Sequence, residues 1–385
     1  MTGGGSGGHI TPILAVAHEL KQQHPDSFIV YVGERGGKFQ NLTDNHQSID
    51  AVYSIWAGKY RRYYGATRLE RLLDFKTMFF NVRDLFLFAA GTVQSWFLLK
   101  KIQPDVVFLK GGFVGVPIGL AAAARKIPFV THDSDAIPGL ANRLVSRWAA
   151  VHAVALPAQE YHYPTEKTVQ VGVLVEPGFR YVSEMDKAMF KEQLRLNSED
   201  FVLLITGGSL GAQRLNEAVK RIAPDLLKDF TNLKIIHQVG RGKAGVYGDF
   251  HHERLDVIEF MQPMYVYTGS ADIIVSRASG NTVAELGVQS KTVIVVPNPL
   301  LANGHQLRNA ERLVAQGAVV SIPETATVTD SAALDAEIRR LVQDDAARRA
   351  LAKQLHALTI TNASARLAEQ ILRLGSAHRS AGEGV

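Results

Sequence analysis

The stretch of sequence that decides the fold reads Ser276-Arg277-Ala278-Ser279-Gly280-Asn281-Thr282-Val283-Ala284-Glu285-Leu286. The apolar run ending at Ser276, the turn of small residues and the helical pattern from about Asn281 predict a strand, a loop and a helix N-terminus. Such a terminus offers unpaired backbone N–H groups and the positive end of the helix dipole, so it suits a phosphate. One turn into the helix, Glu285 is placed to accept hydrogen bonds from sugar hydroxyls. An ordinary strand–helix unit with a surface glutamate fits the same spacing.

Apolar strands followed by turns and helices recur along the whole chain. Besides the strand 273–276, strands are predicted at 28–32, 105–109, 128–131, 151–155, 169–171, 201–206, 233–238, 257–260 and 293–297. Glycine turns follow at 110–115 and 207–212, whereas the glycine-rich opening at 3–8 has no strand before it. We predict an α/β fold with two doubly wound parallel sheets, whose ligand lies in the cleft between the halves, outside the carboxyl ends of the strands.

The length of 385 residues also favours two domains. A turn-rich linker begins at Gly172 and separates an N-terminal domain, 1–171, from a C-terminal domain, 172–358; residues 359–385 form a last helix and a tail. The segment 33–58 has no regular pattern, and the small, polar tail from Gly375 is predicted to be disordered. Helices are predicted at 12–23, 116–124, 213–227, 329–344, 346–358 and 363–374.

Composition and charge narrow the function classes. The net charge is +5 and there is no cysteine, which excludes disulfides, thiolate nucleophiles and zinc–thiolate sites. The N-terminus lacks a signal-type segment, so a cytoplasmic protein is expected. The most apolar stretches, 85–99 and 114–124, are predicted to be too short or too interrupted to span a bilayer.

A basic and aromatic segment runs from Lys59 to Phe80. Cations beside rings on a helix predict docking to an anionic membrane surface, where the cations meet headgroups and the rings enter the acyl boundary. Alternatively, the rings belong to the domain core and the cations are its solvated edge. Nucleic-acid binding is not predicted, because basic clusters do not recur elsewhere. The segment contains Lys59, Tyr60, Arg61, Arg62, Tyr63, Tyr64, Arg68, Arg71, Phe75, Lys76, Met78, Phe79 and Phe80.

Two further positions carry candidate chemistry. His9 closes the glycine-rich opening; it is a candidate general base, because imidazole titrates near neutral pH, or a phosphate-binding or loop-bracing residue. Asp133-Ser134-Asp135 follows a predicted strand and superficially resembles the metal-binding Asp-x-Asp of one class of sugar transferases. Two carboxylates are weak evidence for a metal. A nicotinamide-dependent oxidoreductase is disfavoured, because no Gly-x-Gly-x-x-Gly is followed by a well-placed acidic strand end.

Taken together, the motifs resemble those of the MurG family, in glycosyltransferase family 28. Six matching segments occur in family order at 3–12, 110–117, 132–143, 207–216, 276–286 and 305–310. The resemblance implies a GT-B fold, with C-terminal helices returning to the N-terminal domain, and transfer of GlcNAc from UDP-GlcNAc to the MurNAc 4-hydroxyl of undecaprenyl-diphospho-MurNAc-pentapeptide. It implies inversion, no metal and no other cofactor, at the cytoplasmic face of the cell membrane. The alternatives are a GT-B transferase with another sugar or acceptor, and a UDP-GlcNAc 2-epimerase or binding protein without a lipid acceptor.

The resemblance also assigns residues. His9 and Asp133 are the candidate catalytic residues; Asp133 stands where the family commonly has Glu. Asp135 replaces the usual Asn, and Leu210 replaces the usual Gln. Glu176 stands where the family has a substrate-contacting Arg, for which Arg180 is the candidate substitute. Asn309 is expected to be a scaffold residue. The UDP-GlcNAc-binding residues are expected to be Ser6, Gly7, Gly8, Asp135, Ser209, Met261, Gly280, Asn281, Thr282, Val283, Ala284, Glu285 and Gln306.

Overall fold

The computed structural model describes residues 1–4, 7–37, 43–44, 46–59, 74–208, 211–299 and 304–382. Side chains are not described for 7–9, 75–76, 305, 328–329 and 381–382. The chain divides into two compact units, of which unit 1 comprises Met1–Glu176 and Asn362–Val385, and unit 2 comprises Pro177–Thr361. Each unit is built around its own parallel sheet.

The strands of unit 1 are short and mostly buried. In the described residues they are β1 (Val30–Glu34), β2 (Ala51–Ile55), β3 (Val107–Leu109), β4 (Phe129–Asp133), β5 (Val151–Val154) and β6 (Thr168–Gln170). The first helices of this unit are α1 (Gly7–Gln23), α2 (Phe75–Ile102), α3 (Gly115–Ala124) and α4 (Leu140–Val145).

Met1 and Thr2 stand in the place of the strand that the sequence pattern lacks. Thr2 forms parallel bridges to both Val32 and Leu109, and so joins the β1–β2 pair to the four strands β3–β6. Its N–H donates to the Phe108 carbonyl over 2.9 Å, and its carbonyl accepts from Lys110 N over 3.0 Å. The glycine-rich opening therefore does follow an extended segment. Two residues suffice because both neighbouring strands hydrogen-bond to them.

Unit 2 contains the longer, continuously apolar strands. They are β7 (Phe201–Thr206), β8 (Leu233–Gln238), β9 (Leu255–Ile258), β10 (Ile273–Ser276), β11 (Thr292–Val295) and β12 (Val320–Ser321). All pairings are parallel, in the order β12-β11-β10-β7-β8-β9. This is the doubly wound order in which ligands bind at the carboxyl ends of the central strands. The helices of this unit are α5 (Glu184–Gln193), α6 (Gln213–Asp229), α7 (Met264–Ser270), α8 (Gly280–Val288), α9 (His305–Ala315), α10 (Glu324–Thr329), α11 (Ala332–Gln343) and α12 (Asp345–Leu358).

The core of unit 2 covers both faces of its sheet. Along β7, Leu203 and Ile205 pack into one apolar cluster, while Val202 and Leu204 pack into the other. Successive side chains of a strand point to opposite faces, so an uninterrupted apolar strand indicates a sheet that is covered on both sides. The predicted bounds of β7, β8 and β10 are confirmed, because this pattern is strongest there.

Three local predictions are wrong. Helix α1 begins at Gly7 rather than at Pro12, so that Pro12 lies inside it. The segment 33–58 contains β2, which pairs in parallel with β1 over its five residues. The tail from Gly375 does not become irregular: the last helix, α13 (Ala363–Gly382), continues through it. It packs against α1, and Arg379 forms an ion pair with Asp105 over 2.8 Å, which accounts for its order despite the small, polar sequence.

Helix α2 has one covered and one exposed apolar face. Its part Thr77–Ile102 is long and apolar enough, by length and composition alone, to cross a membrane, so the criterion of length does not exclude the helix that contains 85–99, whereas the helix Gly115–Ala124 stays short. Asp84, Ser95 and Leu99 are buried on the covered face. A Cβ added to Gly91 would lie only 1.8 Å from the Trp56 carbonyl oxygen, so the helix is closely packed onto unit 1 there. The opposite face exposes Met78, Phe79, Val82, Leu85, Phe86, Val93, Trp96 and Phe97.

Candidate functional site

The decisive stretch folds as predicted at the carboxyl end of β10. Helix α8 begins at Gly280, and the Ser279 hydroxyl accepts a hydrogen bond from Thr282 N over 3.3 Å. This cap fixes the first turn of α8 at the carboxyl end of β10, and the N-terminus of a helix is a place where an anion binds favourably. Val283 is buried in the core, whereas Asn281, Thr282, Ala284 and Glu285 are partly exposed. Among these residues, Val283 therefore anchors the helix rather than presenting its side chain to a ligand.

Helix α9 is tied to the same loop. The Asn309 amide donates to the Ala278 carbonyl over 3.1 Å, which gives Asn309 the scaffold role expected for it. One turn earlier, the buried Gln306 side chain accepts a hydrogen bond from Asn298 N over 3.0 Å. Both contacts place the start of α9 beside the loops that follow β10 and β11. The side chain of His305 lies outside the description.

A buried acid joins two arginines beneath this loop. Glu324 is 1 % exposed, and its two carboxylate oxygens accept hydrogen bonds from Arg277 and Arg214. Arg277 also donates to the Val296 carbonyl over 2.9 Å. Because Arg277 directly follows β10 and Val296 follows β11, the ion pair fixes the ends of two neighbouring strands. The sequence reasoning did not select Glu324, since an acid between Pro323 and Thr325 carries no motif.

The glycine turn after β7 closes against β8. At Gly211, φ is +66° and an added Cβ would lie 2.0 Å from the Val239 carbonyl oxygen, so only glycine fits. Gly208 N donates to the Thr206 hydroxyl over 3.0 Å, and this hydroxyl donates to the Gln238 side chain. The turn thus directs its backbone toward the strand ends. Ser209 and Leu210 lie outside the described residues.

Met261 lies just beyond β9. Its side chain is 3 % exposed and belongs to the apolar core, so the contact with UDP-GlcNAc that is expected of this residue has to be made by its backbone. Phe260 beside it is 41 % exposed, and the Arg241 guanidinium lies 5.1 Å from its ring centroid. Phe260 and Arg241 therefore form a cation–π pair that is partly exposed at this corner of the sheet.

In unit 1 the two glycine loops approach each other backbone to backbone. Gly112 has a φ of +79°, and an added Cβ would lie 2.3 Å from the Gly4 carbonyl oxygen. A Cβ on Gly4 would meet the Val114 side chain at 2.5 Å. The loops lead into the N-termini of α1 and α3, the former at Gly7 and Gly8. Ser6 lies outside the described residues, as does the side chain of His9.

Asp133 ends β4 and is closely held. Its Oδ1 accepts hydrogen bonds from Gly139 N over 2.9 Å and from the Asn142 amide over 3.0 Å, and its Oδ2 accepts one from the Tyr163 hydroxyl over 2.9 Å. Burial raises the pKa of Asp133 above its ordinary value. The three hydrogen bonds lower the pKa, but their effect is smaller than that of burial. These bonds fix the turn that leads into α4.

Lys110 is a buried charged residue at these strand ends that the sequence reasoning did not single out. It follows β3, is 4 % exposed, and donates through Nζ to the Ser134 hydroxyl over 2.8 Å. Burial lowers its pKa to about 8, although the carboxylates of Asp133 and Asp135 raise it. The sequence shows only a lysine between an apolar strand and a Gly-Gly turn, and because lysines are almost never fully buried unless they are paired, its burial was not predicted.

Histidines and tyrosines pack beneath the same strand ends. His152 stacks on Tyr163, with 3.9 Å between ring centroids, and Tyr161 donates to the Asp135 carbonyl over 3.1 Å. His132 bonds through Nε2 to the Gly172 carbonyl at 2.9 Å, while its buried Nδ1 has no partner in the described part of the chain. Burial lowers the pKa of His132 and the pKa of His152, so both imidazoles are neutral at pH 7.

The remaining predicted residues lie apart from these clusters. Arg180, the suggested substitute for an arginine near Glu176, donates to Asp186 over 2.6 Å, and Asp186 in turn caps α5 with Ser183. In the described ranges, no three His, Cys, Asp or Glu side chains are arranged to hold a metal ion.

Comparison with known proteins assigns the chain to a family. Residues 1–154 match the glycosyltransferase family 28 N-terminal domain, and residues 202–371 match the C-terminal domain of that family. A protein of Natranaerobius thermophilus is 33% identical over 84% of this chain and 86% of its own length. Its name is UDP-N-acetylglucosamine–N-acetylmuramyl-(pentapeptide) pyrophosphoryl-undecaprenol N-acetylglucosamine transferase.

Two solved structures share the fold. The crystal structure of Acinetobacter baumannii MurG gives a TM-score of 0.69 at 24% identity and covers 97% of this chain and 98% of that chain. UDP-GlcNAc 2-epimerase from Neisseria meningitidis, bound to UDP-GlcNAc, gives a TM-score of 0.63 at 16% identity and covers 97% of this chain and 99% of that chain. The predicted GT-B fold is confirmed. With its matched domains and a relative of this identity and coverage, the chain belongs to glycosyltransferase family 28.

Proposed function

We propose that this enzyme transfers GlcNAc from UDP-GlcNAc to the 4-hydroxyl of MurNAc in undecaprenyl-diphospho-MurNAc-pentapeptide, in peptidoglycan synthesis. The observation that carries the proposal is the 33% identity, over 84% of the chain, to a transferase named for this reaction. The capped N-terminus of α8 and the glycine turn after β7 suit the UDP diphosphate. As negative charge develops on departing UDP, fixed backbone donors stabilise it.

On the donor side, each residue has a distinct role. The backbone from Gly280 binds a phosphate, Glu285 accepts from the ribose hydroxyls, and Gln306 faces the sugar. Met261 offers its backbone to uracil, because its side chain is buried. The remaining contacts to the phosphates and the sugar come from two places. The glycine-rich opening contributes Ser6, Gly7 and Gly8, and the glycine turn after β7 contributes Ser209.

On the acceptor side, the 4-hydroxyl loses a proton as it attacks the anomeric carbon. Asp133 is the less suitable base, because both of its oxygens already accept hydrogen bonds. His9 therefore takes the proton, and Asp133 positions the loop that leads into α4. Accordingly, His9→Ala lowers kcat by roughly a hundredfold or more, with little change in donor affinity. An equal loss in donor affinity would make His9 a phosphate-binding residue.

The transfer itself is tested with radiolabelled UDP-GlcNAc and a soluble-chain analogue of the lipid acceptor, in the presence of EDTA. Product is expected under EDTA, because the donors named above are protein groups. Failure of transfer, despite measured UDP-GlcNAc binding, would refute the proposed acceptor. Conversion of UDP-GlcNAc to its 2-epimer without acceptor would favour an epimerase instead.

We also propose that unit 1 docks on the anionic cytoplasmic face of the cell membrane. The exposed face of α2 supports this, since Leu85 is 64 % and Phe86 72 % exposed on a helix whose other face is buried. Such a helix suits the interface between headgroups and acyl chains. The cations predicted to meet the headgroups begin at Lys59; those between residues 60 and 73 lie outside the description.

Membrane docking is tested by sedimentation with vesicles of anionic and of zwitterionic lipid. The wild type should pellet with anionic vesicles, and Leu85→Ser with Phe86→Ser should release it. Phe28→Ser is the matched control, because Phe28 is also 73 % exposed on unit 1 but lies outside α2. Equal effects of the two changes would argue against α2 as the docking surface.

A further inference from the structure

The turn between α8 and β11 carries two buried polar side chains that both bind α7. Gln289 is 0 % and Lys291 6 % exposed. The Gln289 amide donates through Nε2 to the Tyr265 carbonyl over 2.8 Å. The Lys291 side chain donates through Nζ to the carbonyl of Gly269 over 2.7 Å and to that of Ala271 over 3.1 Å. The turn is therefore attached to the first turn of α7 and to its end.

Helix α7 depends on contacts of this kind. It has 7 residues, and a helix this short is not stable in water by itself. The last carbonyls of a helix have no partner within it, and a cation near this end is favourable. Lys291 supplies both the donors and the charge. Burial lowers the pKa of Lys291 to about 7, but a neutral amine still has two N–H groups, one for each of the two carbonyls. The attachment is therefore kept in both protonation states.

The two helices that this turn joins both belong to the proposed donor site. Helix α8 begins at Gly280, where the backbone is proposed to bind a phosphate, and it ends at Gln289, its C-cap residue. Helix α7 begins shortly after Met261, whose backbone is proposed to contact uracil. A short helix is a rigid element, so a change at its end moves the residues that precede it. The side chains of the turn thus set the position of the base contact relative to the phosphate contact.

Stability alone does not account for polar side chains at these two positions. The Oε1 atom of Gln289 is buried and has no hydrogen-bond partner in the described part of the chain. A buried polar atom without a partner costs free energy, and so does a buried ammonium. Well-packed apolar side chains of similar volume avoid these costs. Fixing the carbonyls of α7 in one place is the function that an apolar side chain cannot supply.

We propose that Gln289 and Lys291 are positioning residues for the donor nucleotide: they fix α7 against α8, and so place the backbone of Met261 to select uracil over other bases. This inference rests on the proposed function, because it takes a UDP-sugar as the donor. Both side chains are buried, so they act through α7 rather than by touching the nucleotide. Backbone groups can make this selection, since uracil presents a carbonyl acceptor where cytosine presents an amino donor.

The test is calorimetry of UDP, CDP and inorganic pyrophosphate with the full-length enzyme, without acceptor. The wild type should bind UDP more tightly than CDP. Lys291→Met and Gln289→Met should each lower the ratio of the CDP to the UDP dissociation constant about fivefold or more, because a small displacement of a hydrogen-bonding group removes much of its discrimination. The affinity for pyrophosphate should not change, since the start of α8 is left intact.

Lys191→Met is the matched control. Lys191 lies in the same unit, is also 6 % exposed and also donates to two carbonyls, of Ser198 over 3.0 Å and of Asp200 over 2.6 Å. These carbonyls precede β7 and do not belong to α7. Lys191→Met should therefore lower the melting temperature as Lys291→Met does, but leave the ratio as in the wild type. An equal change of the ratio in both lysine variants would mean that general destabilisation is the cause, and would overturn the proposal.

The outcome for the positioning role is separate from that for the reaction. If the wild type fails to transfer GlcNAc but Lys291→Met and Gln289→Met lose selectivity for UDP, only the proposed reaction falls. If the wild type binds UDP and CDP equally, or if neither variant changes the ratio, the positioning role is refuted. Should Lys291→Met not fold, Gln289→Met decides by the same readout, because it removes a single hydrogen bond.

Discussion

Replacing Glu324 by Gln tests the idea that a buried ion pair holds the donor site together. Glu324 is 1 % exposed and binds Arg277, whose side chain is 11 % exposed, and Arg214, which is 50 % exposed. An amide has one oxygen, so Glu324→Gln leaves one guanidinium facing an N–H group. Breaking a buried pair costs about 3 to 5 kcal/mol, whereas the exposed contact with Arg214 contributes about 1 kcal/mol at most.

We take the lower value, about 3 kcal/mol, because one hydrogen bond is kept. For a unit of this size, 1 kcal/mol shifts the melting temperature by about 2–4 °C, so the expected decrease is roughly 6–12 °C. Far-UV circular dichroism follows this transition. The three tryptophans, Trp56, Trp96 and Trp148, all lie in unit 1, so their fluorescence reports on that unit separately.

The matched control is Asp229→Asn, which breaks the 2.7 Å ion pair with Arg339 on the surface of unit 2. Asp229 is 46 % exposed, so a loss below about 1 kcal/mol is expected. The same decrease in both variants would refute the reasoning, since burial would then not matter. Below its melting temperature, Glu324→Gln should also bind UDP more weakly than Asp229→Asn does, because Arg277 fixes the loop before α8.

Glu285→Ala should weaken UDP-GlcNAc binding about tenfold in calorimetry with an unchanged melting temperature; unchanged affinity would remove Glu285 from the donor site. Gly211→Ala should destabilise unit 2 by about 2 kcal/mol or more in urea unfolding, since φ is +66° and backbone lies 2.0 Å away; Gly245→Ala, with open space around it, is the control. Burial lowers the pKa of His237 to about 3. In the unfolded chain the pKa of this histidine is about 6.5, so the unfolded state is protonated first as the pH falls. Passing from about pH 7.5 to 5.5 should therefore lower the contribution of His237 to the free energy of unfolding by about 1.4 kcal/mol. The variant His237→Gln should lack this loss.

The bounds of strands and helices were predicted most accurately from the sequence where one physical effect acts alone. In unit 2 the strands are apolar on both faces, and their bounds at 201–206, 233–238 and 273–276 agree with the structure. The strand formed by Met1 and Thr2 was not predictable, because two residues show no periodicity and are held only by neighbours distant in sequence. Helix α13 was underestimated for the same reason, as its order depends on α1 and on Asp105.

The candidate site was predictable in its backbone and not in its charges. The capped start of α8 and the glycine at 211 follow from local rules, since a serine cap and a positive φ each have a sequence signature. The partners Glu324 and Lys110 have none, because a buried charge is recognised only when the group that compensates it is known. Sequence reasoning noted Asp135 only as an added charge, and it is the fold that brings the Lys110 ammonium to the neighbouring Ser134 hydroxyl.

Both units place buried charges at their strand ends. In unit 2, Arg277 and Arg214 both donate to one buried acid, Glu324. The donors at the start of α8 are then backbone N–H groups. Such donors suit a ligand that carries its own negative charge, because no competing carboxylate is exposed by the pair. In unit 1 the buried ammonium of Lys110 donates to the Ser134 hydroxyl, and the buried carboxylate of Asp133 accepts from Gly139, Asn142 and Tyr163. The charged groups of both units therefore fix loops at strand ends, which leaves the stabilisation of the departing diphosphate, in the proposed transferase, to backbone donors.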